Sequence, residues 1–195
     1  MNILFRIGLC SFLCWGILAC NNNKPADTLS NKEVADTAKF YPIDRFISDE
    51  IKYVDLRNFS IVEKISTSKD SSSRVISKED FLAASAAVLK QAQWFMANKS
   101  LFTESIFQVL GTESYTINYS STNTPIKNID LLLHQQTNLP KRLFIRVVQQ
   151  SGDTTITEQY SWVVNKQFVI SSAKKTNQGF NESSSSEISW KNQDQ

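Results

Sequence analysis

Residues 142–170 read RLFIRVVQQSGDTTITEQYSWVVNKQFVI, and this stretch decides the fold. Apolar and β-branched residues alternate with polar ones around two turn signals, Gly152-Asp153 and Asn165-Lys166. A period of two marks a half-buried strand, and Gly followed by Asp suits a tight hairpin loop with glycine first. If both pairs form two-residue loops, Leu143 stands opposite Trp162, Ile145 opposite Tyr160, and Trp162 opposite Val169. Leu143, Ile145, Val147, Tyr160, Trp162, Val164 and Val169 then share one face. The reverse face carries Arg142, Arg146, Gln159 and Ser161, with Phe144, Val163, Phe168 and Ile170 among them. Two independent turn assignments thus gather large apolar side chains on one side, as a sheet wet on its other side requires.

The pattern extends in both directions from this stretch. Ile129 to Gln135 reads as the preceding strand, with Pro140 closing the loop between them. Ile188 to Lys191 reads as a last edge strand, and Ser183 to Ser186 as a loop. Thr112 to Tyr119 looks like strand, whereas residues 101–111 fit either type. Phe59 to Thr67 alternates as a strand, Lys69 to Ser73 is turn-like, and Arg74 to Ile76 is a candidate return partner.

Two helices complete the domain. The first begins at Pro42, a residue suited to the first helical position. Ile43, Phe46, Ile47, Ile51 and Val54 form its apolar stripe, and Asp44, Arg45, Asp49, Glu50 and Lys52 its polar side. Acids among the bases distinguish that side from a membrane-surface helix. Ser77 caps the second helix, with acids in its first turn; Phe81, Leu82, Ser85, Val88, Leu89 and Ala92 form its buried side, and it runs to Met96. The fold class expected is α+β: an antiparallel meander sheet with two amphipathic helices packed on one face.

The first twenty residues, MNILFRIGLCSFLCWGILAC, carry a different message. Arg6 supplies an early positive charge, and Ile7 to Ala19 is a nearly continuous apolar run of about 13 residues, too short for a ~30 Å hydrocarbon core and sized for a signal-peptide h-region. Its end, Ile17-Leu18-Ala19-Cys20, resembles a lipobox. That resemblance implies cleavage before Cys20, a diacylglycerol thioether on its sulfur, and acylation of the freed amine, palmitate being the usual class of chain. Two or three acyl chains hold a protein on a bilayer where one binds only marginally. Residues 1–19 are therefore expected to be a lipoprotein signal peptide. Residues 20–39 are expected to be the lipidated cysteine and a flexible tether, spanning roughly 25 Å as a coil, and residues 40–195 a single domain.

Composition narrows the chemistry. Formal net charge is +2, or +1 once Arg6 leaves with the signal peptide, which gives no footprint for a nucleic-acid partner. All three cysteines lie at or before Cys20, so residues 40–195 have no thiol for a disulfide, a nucleophile or a Cys-rich zinc site. The one histidine, His134, would share a strand face with Asp130, without an identifiable nucleophile. No Asp-rich calcium loop, phosphate-cradling glycine loop or nucleophile elbow is present. No catalytic residue, metal or cofactor is assigned. Trp94, Trp162, Trp190 and Phe168 suit a core, or else a glycan or peptide groove. The mixed face bearing Arg142, Phe144, Arg146 and Phe168 is the best partner surface.

From about Phe40 to Trp190 the layout resembles a group of small uncharacterised Bacteroidota outer-membrane lipoproteins. The matching features are Phe40-Tyr41-Pro42 opening a helix, Ser77 to Phe81 opening the second, Trp162 to Ile170 with its Asn-Lys turn, and Trp190 near the end. The residues after Cys20 are neutral to basic, without the acidic cluster of surface-exported lipoproteins, and Asn21 stands where an inner-membrane retention aspartate would. By that resemblance the expected address is the outer membrane, facing the periplasm. The resemblance brings no activity with it. A binding or structural module with a protein or glycan partner is the leading expectation, and a cell-envelope hydrolase with a carboxylate-based site the alternative.

Overall fold

The computed structural model describes residues 40–109, 111–179 and 181–192, all within a compact unit spanning Phe40–Gln195. The signal-peptide, Cys20 and tether expectations lie outside the described residues. In chain order the elements are α1 (Ile43–Asp55), β1 (Phe59–Thr67), β2 (Ser71–Val75), α2 (Lys78–Ala97), β3 (Thr103–Val109), β4 (Ser114–Ser120), β5 (Ile126–His134), β6 (Pro140–Ser151), β7 (Thr154–Val163), β8 (Gln167–Thr176) and β9 (Asn181–Asn192). The nine strands form one antiparallel sheet in the order β2-β1-β9-β8-β7-β6-β5-β4-β3, so the fold is α+β. No helix among the described residues is long and apolar enough to cross a membrane.

The central hairpin has the register its sequence implies. Gly152-Asp153 is a two-residue loop with Gly152 at φ +57°, and Leu143 pairs with Trp162 and Ile145 with Tyr160. The next turn differs. Val163 pairs with Gln167, so the loop is three residues, Val164-Asn165-Lys166, with Asn165 at φ +57° and the Lys166 N–H donating to the Val163 carbonyl at 3.2 Å. Asn is among the few residues that take this conformation readily. The extra residue slips β8 by one and exchanges its faces. Trp162 now stands opposite Phe168 rather than Val169, and the two rings stack 4.9 Å apart at an interplanar angle of 4°.

β9 is a second correction. The expected edge strand lies inside the sheet, hydrogen-bonded to β8 on one side and β1 on the other, and Ser183 to Ser186 belong to it. Two flanking ladders hold a serine run in a strand that intrinsic preference alone would leave as loop. β3 resolves the ambiguity of the 101–111 region in favour of a strand.

The helices form for local reasons. α1 buries Ile43, Ile47, Ile51 and Val54, and Phe46 is half-buried. Pro42 stands just before the first helical residue. α2 starts with a reciprocal capping box: the Asp80 N–H donates to Ser77 Oγ at 3.1 Å and the Ser77 N–H to Asp80 Oδ2 at 3.3 Å. This satisfies donors that an uncapped first turn leaves open. Phe81, Ser85, Val88, Ala92 and Phe95 point inward, while Leu82, expected on the buried side, is 37% exposed because it falls about 100° off that stripe.

Helix and sheet side chains make one continuous core. The Phe81 ring of α2 meets Phe168 and Trp190 edge-on, each at 5.8 Å. The Trp162 indole Nε1–H donates to Glu50 Oε2 of α1 at 3.1 Å, and the Asn165 backbone N–H reaches the same oxygen at 3.4 Å. A second aromatic cluster joins Phe95, Phe40, Phe102 and Tyr119, and the Tyr119 hydroxyl accepts the Tyr41 N–H at 3.0 Å.

Candidate functional site

Strand alternation builds the site. Leu143, Ile145 and Val147 of β6 point into the core, which turns Arg142, Phe144 and Arg146 to the opposite face. Both arginines are exposed and Phe144 is half-buried. Four residues of extended chain separate the arginines by about 13 Å. The neighbours follow from the register: Arg142 lies between Leu132 and Val163, Phe144 between Asp130 and Ser161, and Arg146 between Asn128 and Gln159.

Asp130 is the acid nearest this strip, and its oxygens are engaged. Asn118 Nδ2 donates to Oδ1 at 2.6 Å and Asn128 Nδ2 to Oδ2 at 3.1 Å. Among the described residues, neither Arg142 nor Arg146 forms an ion pair or side-chain hydrogen bond. The strip therefore offers two uncommitted guanidinium forks, each able to hold a carboxylate or phosphate through paired hydrogen bonds, around an aromatic ring. Past Gln159 the same face continues into a hollow of about 310 Å³ lined by hydroxyl side chains, among them Thr157, Ser171, Ser183 and Ser185.

Phe168 does not belong to this surface. It is fully buried against Trp162 and Phe81, because the three-residue loop turned β8 over. Trp162 and Trp190 are core residues as well, and Trp94 packs half-buried against the core.

The His134–Asp130 pairing is not made: four residues of extended chain on β5 hold the two about 13 Å apart, and the amides occupy Asp130. His134 instead lines a groove of about 630 Å³ between α1 and the β5–β6 and β7–β8 loops, together with Tyr41, Phe46, Asp49, Glu50 and Leu139. Its acids have other duties. Glu50 accepts the Trp162 and Asn165 donors, and Asp49 stands 3.9 Å from Arg45 on an exposed turn. No cluster of three or more His, Cys, Asp or Glu able to hold a metal occurs among the described residues.

Glu50 is the structurally important residue that sequence reading missed. It lay on the polar side of the α1 stripe, and its indole partner is 112 positions away; no local pattern announces such a bond. No known family model matches this chain, and neither curated proteins nor solved structures provide a match.

Proposed function

We propose that this protein is a lipid-anchored binding module of the cell envelope, fastened through Cys20 to the periplasmic face of the outer membrane. It engages an anionic protein or glycan partner through Arg142, Phe144 and Arg146. The observation that carries the binding reading is the pair of exposed guanidinium groups, free of acid partners among the described residues, on either side of Phe144. Free guanidinium forks beside an aromatic ring are the residue types enriched where surfaces bind partners. Both helices cover the other face of the sheet, where Leu143, Ile145, Tyr160 and Trp162 point. The Phe81 contacts and the Trp162–Glu50 bond support that arrangement, which leaves the arginine face open.

The anchor is tested by mass spectrometry of the amino-terminal peptide from native membranes. A diacylglyceryl cysteine at position 20 is expected, with Cys20→Ser released from the membrane fraction. An intact, unmodified amino terminus would overturn the anchor. The binding face is tested by cross-linking in native membranes and recovering the partner. Reversing both charges, Arg142→Glu with Arg146→Glu, should abolish a partner recovered at fixed stoichiometry while leaving the unfolding free energy within about 0.5 kcal/mol, because both side chains are exposed. Retention of that partner by the double variant would refute the site.

A further inference from the structure

The sheet is open, so it ends in two strands, and the two are built differently. A bare edge presents unpaired N–H and C=O groups that template pairing with another strand, and short length or a charge at the edge discourages it. β2 has both: it is five residues long, and Arg74 holds Glu63 at 2.7 Å. β3 is longer, TESIFQV, with neither lysine, arginine nor proline. Ile106 and Phe107, on its opposite faces, are 46% and 56% exposed. Its one acid, Glu104, is half-buried and stands opposite the buried Tyr119 in the ladder.

We propose that β3 pairs antiparallel with β3 of a second copy of this chain, about a two-fold axis beside Ile106, so that one sheet runs unbroken through a dimer. The strand is self-complementary in this register. Ile106 faces Ile106 of the second copy. Ser105 faces Phe107, a small side chain leaving room for a ring. Glu104 faces Gln108, whose amide donates to the carboxylate. Lys99, in the 3-10 turn before the strand with its ammonium 5.9 Å from the Phe40 ring, and Glu113, in the turn after it, place opposite charges at the two ends of this edge, and antiparallel pairing brings unlike ends together; both residues are exposed. A register centred on Glu104 would instead oppose two carboxylates, which is destabilising. Lys99 and Glu113 give a single strand opposite charges at its two ends, and this favours a second copy over an unrelated peptide. Pairing consumes the one unguarded edge and leaves β2, so assembly closes at two rather than growing into a fibre.

Sedimentation velocity of the full chain in detergent, over a concentration series, tests this. The expected result is a monomer–dimer equilibrium that Ile106→Lys abolishes without moving the unfolding midpoint at concentrations where the wild type is itself monomeric. Lys99→Glu alone and Glu113→Lys alone should each weaken the dimer by about fivefold, and the two together should restore it. A wild-type chain that stays monomeric at every concentration overturns the proposal. So does a dimer indifferent to Ile106→Lys, or growth beyond two copies. None of these outcomes bears on the Arg142–Arg146 face, which is on other strands.

Discussion

Glu50 shows how much one surface carboxylate can hold. Its Oε2 takes the indole hydrogen of Trp162, a side chain buried to 0% exposure, and also the backbone N–H of Asn165 in the loop that sets the register of β8. One oxygen thus ties a helix, a core ring and a turn. Glu50→Ala leaves the Trp162 Nε1–H without its acceptor at the edge of the core, and stranding a buried donor costs about 1–3 kcal/mol. Urea unfolding should show a loss of that size. Glu50→Gln, which keeps an acceptor oxygen in place, should retain most of the stability; an equal loss in both variants would mean that the carboxylate's charge, rather than the hydrogen bond, is what matters.

At the scale of elements, the α2 capping box is the clearest local determinant. Ser77→Ala removes the acceptor for the Asp80 N–H and should cost about 1 kcal/mol, read as a fall of about 2–4 °C in the thermal midpoint by circular dichroism. Ser77→Asp, which supplies another capping oxygen, should retain most of the midpoint. Elements like this one were legible in the sequence because their causes are local: a cap three residues from its partner, an apolar stripe at 3.6 residues per turn, alternation at two. The β6–β7 register was legible because Gly152-Asp153 admits one tight loop. The β7–β8 register was not, because Asn165-Lys166 is compatible with loops of two or three residues, and the choice is made by Phe168 stacking on Trp162 and by Glu50 holding the loop. The same cause divided the candidate site. Arg142, Phe144 and Arg146 follow from alternation within one strand, whereas Phe168 depended on a loop length. β9 was misplaced for a different reason: its neighbour β1 is remote in sequence, and a run of serines reveals nothing about what will pair with it.

The whole molecule responds to alkali through phenols that its core holds neutral. Burial raises Tyr119 well above the ordinary tyrosine range, although the Tyr41 N–H donated to its oxygen pulls the other way. Burial, helped by the Glu158 carboxylate 2.9 Å away, pushes Tyr160 up to about 12. Unfolded tyrosines ionise near 10. Between 10 and about 12 the unfolded chain therefore releases protons that the folded chain keeps, and stability falls as pH rises through that window. Below pH 10 this contribution is fully present. The unfolding midpoint in urea should drop steeply above pH 10, and Tyr160→Phe should flatten the slope; an unchanged slope would show that Tyr160 is not a source of it.

The β1–β9 ladder has a kinetic consequence. Glu63 and Ser186, joined by a 2.9 Å hydrogen bond across it, are 123 positions apart. The hairpin β1–β2 is made before the other seven described strands, yet the neighbour it needs in the sheet, β9, is the last of them. Long-range pairing of this kind is slow to nucleate. Trp190, which meets Phe81 and Trp162, arrives equally late. A growing chain is thus left without its keystone until β9 emerges, so the earlier strands remain threadable until then and the sheet sets only once that strand is made.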